Sequence, residues 1–146
     1  MSKEEQVQVF TEADFSQFML RDTAEVVFKD PKGKPLLFKA KPVSAIVYGP
    51  ASRQHRVAYT TRIQALAKIA RGPQEGENPL TADEQSEQQT QLTIDFVVAV
   101  TKEFKNFPYP GGVKTILNKA EFKYFADQIL NFLDNEGNFY AGGQND

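Results

Sequence analysis

The sequence has no cysteine, no tryptophan and a single histidine, His55. Without cysteine there are no disulfides and no thiolate metal sites. One histidine with no carboxylate beside it makes neither a metal cluster nor the base of a nucleophile–base pair. His55 is therefore expected on the surface or in packing. A strong excess of one charge is also missing, since 17 Lys and Arg face 19 Asp and Glu. That weighs against a general nucleic-acid binder, which carries a clear basic surplus. Long apolar runs are absent too. The longest, Ile94–Val100, is interrupted by Asp95 and is too short to span a bilayer, so no membrane partner is expected. Met1–Val9 is mostly polar, and no secretory leader is expected there. The glycine pairs Gly111-Gly112 and Gly142-Gly143 form no phosphate-binding pattern. Glu84 and Glu87 stand three apart, a spacing open to acid–base work, but they lie in the most polar part of the chain, where no pocket would shift a pKa. No enzyme activity, cofactor or metal is expected.

What is present is aromatic bulk and segregated charge. With 146 residues the chain suits a single domain over 1–140, followed by a flexible tail at 141–146. Its 12 phenylalanines supply core area that its few Leu and Ile do not. Residues 1–9 read as frayed. Thr11 with Asp14 starts a short helix at about 12–21, with Phe15, Phe18 and Met19 on one face. Ala24–Lys29 and Lys34–Ala40 flank the turn Asp30-Pro31-Lys32-Gly33 and read as a β-hairpin. Val43–Tyr48 is a third, adjacent antiparallel strand. Pro35 and Pro42 are expected at strand starts or on an edge.

The third strand stops at Gly49-Pro50, and Ser52 caps a helix over 51–71. This helix carries five positive charges (Arg53, Arg56, Arg62, Lys68, Arg71) and no acid. Its apolar residues Val57, Ala58, Ile63, Leu66, Ala67, Ile69 and Ala70 form a stripe, and Gly72-Pro73 ends it. From Gly72 to Thr101 there are six acids and no base. Thr81 and Glu84 form a capping box for the next helix, expected over 82–105. Its first two turns are polar all round and project. Its second half is apolar all round and buried. A strand is the competing reading for Ile94–Val100, which is β-branched. Asn106–Gly112 is a loop carrying Phe107 and Tyr109. Asn118 with Glu121 caps a last helix whose face is Phe122, Phe125, Ala126, Ile129, Phe132 and Leu133, and Gly137 stops it. Phe139 and Tyr140 follow, and Phe107 and Phe139 are expected to fold back and close the ends of the core. The fold class is α+β: a small antiparallel sheet of about three strands in the N-terminal half, packed with three to four helices, and a mainly helical C-terminal half. Expected core residues are Phe15, Val27, Phe38, Ile46, Ile63, Leu66, Phe96, Val100, Phe122, Phe125, Ile129 and Phe132.

Three readings of the arginines at 53–71 stand open: a solvated face, an electrostatic interface with the acids of 75–87 within the chain or from a neighbouring subunit, or a phosphate-binding face. The candidate protein-interaction residues are Arg53, Arg56, Arg62, Glu84, Glu87, Phe107 and Tyr109.

The order of elements resembles the tail assembly chaperones of long, non-contractile-tailed bacteriophages of the lambdoid kind. The resemblance runs over about 24–140. It rests on an N-terminal β region, a strand ending at Gly49-Pro50-Ala51-Ser52 before a basic helix, a second helix, a short glycine-containing loop, an amphipathic helix and Asn138-Phe139. The family's tryptophan near the end of the second helix is missing, and Phe104 or Phe107 would fill its place. The resemblance implies a protein that coats the tape-measure protein in the cytoplasm of the infected bacterial host, keeps it soluble, recruits tail tube subunits and leaves before the virion is complete. Charge complementarity between the basic helix and the acids of 75–87 of a neighbouring subunit would also allow self-association, stacked head to tail. A structural tail or head–tail joining component retained in the virion and a single-partner adaptor are the alternatives.

Overall fold

The computed structural model describes residues 11–141; the expectations for residues 1–9 and for the tail beyond 141 lie outside this range. The chain folds as α+β around a three-stranded antiparallel sheet. The order is β1 (Thr23–Val27), β4 (Ser44–Tyr48), β5 (Thr101–Lys105). Two strands come from the first third of the chain and the third arrives from the far side of two long helices. The alternation of β1 and β4 turns Ala24, Val26, Ala45 and Val47 to one face, where they are buried. Phe96, Val97 and Val100 of α3 (Ala82–Val100), Leu117 of α4 (Val113–Leu117) and Ile129 of α5 (Lys123–Leu133) join them in one core. On the opposite face the Ser44 hydroxyl donates to Glu25 at 2.6 Å.

The Asp30–Gly33 turn forms as expected. Gly33 N–H donates to the Asp30 carbonyl, and Gly33 has φ +84°. Pairing continues to Phe28 and Leu36, whose bond is 2.8 Å. The returning arm then leaves. Leu37–Phe38 (β2) pairs instead with Lys41–Pro42 (β3) across a turn in which Lys39 and Ala40 both have positive φ. The Asn106 amide locks this small hairpin by donating to the carbonyls of Phe38 at 2.8 Å and Lys41 at 3.0 Å. Phe38 is consequently exposed, not core.

Several boundaries differ from the sequence reading. The first helix, α1 (Glu12–Ser16), has the expected capping box, with Thr11 Oγ1 accepting from Asp14 N–H and the Asp14 carboxylate accepting from Thr11 N–H. It ends five residues early because Met19–Arg21 bonds to the C-terminal segment: Arg21 N–H donates to the Phe139 carbonyl and Ala141 N–H to that of Met19. Phe15 is exposed. The long helix α3 holds Ile94–Val100 as helix but stops at Val100. The Thr101 hydroxyl donates back to the Val97 carbonyl at 2.7 Å, and the chain passes straight into β5, with Glu103 opposite Ile46 and Phe104 opposite Ala45. Asn118 does not cap the last helix. It closes α4 from its C-terminal end, its amide donating to the Lys114 carbonyl at 2.8 Å, and a 3-10 turn (Ala120–Phe122) leads into α5. α5 stops at Leu133, before Gly137, which sits in a second 3-10 turn (Glu136–Phe139).

Phe139 is completely enclosed, as the folded-back reading requires. Its ring lies edge-on to Phe132 at 5.5 Å and fills the space over Gly49. A Cβ on residue 49 would stand 2.5 Å from Phe139 Cδ1 and 2.9 Å from the Arg21 carbonyl oxygen. Glycine is needed there for close approach.

Candidate protein-interaction arm

Four residues separate β4 from helix α2 (Arg53–Arg71). Ser52, buried, accepts from His55 N–H at 3.1 Å and donates to the Gly49 carbonyl at 2.7 Å, so one hydroxyl fixes both the turn and the helix start. Gly72, at φ +79°, terminates the helix. After the 73–80 loop, Thr81 and Glu84 form the expected capping box and open α3. α2 packs chiefly on α3, and every residue of Ala82–Gln91 is exposed. The two helices therefore form an arm, rooted in β4 and β5 and free of the core at its tip.

At the root, Arg62 bridges the pair. Its guanidinium lies 5.2 Å from the centre of the Phe96 ring, Nη2 donates to Thr93 Oγ1 at 3.3 Å, and the buried Nε has no hydrogen-bond partner among the described residues. His55 stands edge-on to the same ring at 5.7 Å, and burial holds its pKa below the ordinary value. Beside these residues a groove of about 510 Å³ runs between the helices, floored by Val57, Ala58, Leu92 and Phe96 and edged by Arg53, Arg62 and Asp95. An apolar floor edged by two arginines and one aspartate suits an amphipathic helix that carries acids on one side.

The structure brings only part of the sequence-predicted set together. Arg53, Arg56 and Arg62 share the root. Arg56 Nη1 turns back to the Ala51 carbonyl at 3.0 Å. Glu84 and Glu87 lie in the first two turns of α3, toward the tip. Glu84 accepts from the Thr81 N–H, which lowers its pKa. Among the described residues no ion pair joins α2 to the acids of 75–87. Phe107 and Tyr109 belong elsewhere. Phe107 packs at 4.7 Å from Phe104 and 5.1 Å from Phe125, and Tyr109 at 5.1 Å from Phe122. Phe107 is half-buried as a packing residue, and Tyr109 is exposed at the cluster's edge.

Leu92 and Phe96 were assigned to burial by the sequence, and their role in the groove was missed. Ile63, expected in the core, is 46% exposed, with Val57 at 53% and Tyr59 at 54%. The available signal was that α2 carries more apolar positions than one neighbouring helix can cover. Among the described residues no cluster of His, Asp and Glu is arranged to hold a metal, and no helix is long and apolar enough to cross a membrane. No family model, curated protein or solved structure matches the chain.

Proposed function

We propose that this chain is a phage tail assembly chaperone that binds amphipathic helices of the tape-measure protein and holds them soluble while tail tube subunits are recruited. The observation that carries the reading is the arm: two helices extended from the sheet, with an apolar groove at the root edged by Arg53 and Arg62. A helical client needs such a seat, with apolar area for affinity and charge at the rim for orientation. The element order behind the family resemblance supports it as well: the strand ending at Gly49, the basic helix capped by Ser52, the second helix, the loop at 106–112, the amphipathic α5 and the enclosed Phe139. The reading gives the chain no catalytic role and no cofactor.

The test is co-expression with the tape-measure protein of the same phage. A soluble complex is expected that is lost when this chain is omitted and weakened by Val57→Glu with Thr61→Glu, two exposed positions on the groove. An insoluble client with no complex would overturn the chaperone reading. Finding the chain in purified virions would favour a structural tail component.

A further inference from the structure

Helix α2 has a second apolar stripe that its packing on α3 does not use. Tyr59, Ile63, Leu66 and Ala70 recur at i, i+4, i+7 and i+11, the spacing of a seam between helices. At 100° per residue the stripe lies on the opposite side of α2 from the groove residues Val57 and Thr61. Tyr59 and Ile63 are about half exposed and Leu66 is partly covered. The helix is 19 residues long, a seam of roughly 28 Å.

The charges say what covers it. Arg56 flanks one end of the stripe and Arg53 lies between it and the groove; Glu75 and Glu77 follow the other end in the chain, in the loop after Gly72. None of the four has an ion-pair partner among the described residues. We infer that α2 pairs with α2 of a second copy, antiparallel about a two-fold axis that passes between Ile63 and Leu66. In that register Ile63 of each copy meets Leu66 of the other and Tyr59 meets Ala70. Arg53 and Arg56 come alongside Glu75 and Glu77 of the partner copy. A parallel pairing would set arginine against arginine and acid against acid. The stripe supplies the apolar area, and the exposed charge pairs, each worth little, set the direction. One surface pairing with itself closes at two copies, whereas an open head-to-tail stack needs two different surfaces. The groove residues Val57 and Thr61 face away from the stripe, with Arg53 between the two, so variants at Val57 and Thr61 test the client and variants at Ile63 test the dimer, and failure of either reading leaves the other standing.

Light scattering on the full chain should give twice the 16.4 kDa mass of one chain. Ile63→Glu should give a monomer with unchanged helical circular dichroism. Arg53→Glu with Arg56→Glu should weaken the dimer about tenfold, and adding Glu75→Arg and Glu77→Arg should restore it. Because the chain has no cysteine, Ile63→Cys should oxidise to a linked dimer, while Gln64→Cys, on another face, should not. A monomer at high micromolar concentration, a ladder of larger species, or charge reversal without restoration would each overturn the inference.

Discussion

At the scale of single residues, Gly49 and Phe139 are in close contact, joining the start of the arm to the 3-10 turn at Glu136–Phe139. Gly49→Ala forces a methyl into a filled space and should cost about 1–3 kcal/mol, measured by urea unfolding. Combining it with Phe139→Leu should return part of that loss, whereas two independent defects would simply add. His55 makes a second prediction. Burial lowers its pKa, so the folded state favours the neutral ring more than the unfolded state does. Stability is then full above the ordinary histidine pKa of about 6.5 and falls as pH drops through it toward the folded value. The Tm should decline as the pH is lowered from about 7.5 through the ordinary histidine value, and His55→Gln should flatten that decline. An unchanged slope would mean the ring is not held neutral. The sequence places His55 on the surface or in packing because nothing near it completes a site, and the fold half-buries it against Phe96. Its partner Phe96 lies 41 residues away, and no local pattern shows that contact.

At the scale of elements, the ends of α2 and α3 were legible because capping is local chemistry. Ser52, Gly72-Pro73 and the Thr81–Glu84 box each act within a turn of the chain, and each stands where it was read. The helix-to-strand change at Val100 was not legible. β-branched residues suit both states, and the choice is made by hydrogen bonds to β4, which is more than 50 residues earlier. The Lys39-Ala40 turn escaped for a related reason. It has none of the glycine or asparagine that normally marks positive φ, and it is held from outside by Asn106. Asn118 misled because one side chain type caps either end of a helix. Since Ala82–Gln91 is exposed, its stability should be local. Thr81→Ala should cost the helix about 1 kcal/mol and speed amide exchange in the first turns of α3. Exchange at Val97 and Val100 should stay slow; uniform acceleration would show that the arm and the core unfold as one unit.

At the scale of the whole molecule, β4 and β5 are antiparallel neighbours, and the entire arm is the connection between them. The core draws on Ala58 at one root and Phe96, Val97 and Val100 at the other. Replacing 63–91 by a short glycine–serine linker should therefore leave one cooperative unfolding transition and slow exchange in β4. Loss of that transition would mean the tip is needed for folding. The pattern of elements gives the α+β class, and phenylalanine fills only part of a core that is otherwise Val, Ala, Ile and Leu; the pattern does not show which apolar residues of α2 stay outside, because a helix covered by α3 and one covered by α3 and a further partner have the same periodicity.

The roots of the arm also set how the molecule answers to force. Tyr48 and Thr101 are at the same end of the β4–β5 ladder. A load that draws the two helices apart therefore acts on one bond at a time, starting at Val47 and Thr101, and the sheet peels open like a zip. A load shared by both helices along the arm puts no such opening force on the ladder. Whatever clamps α2 to α3 at the tip turns a weak fastening into a strong one.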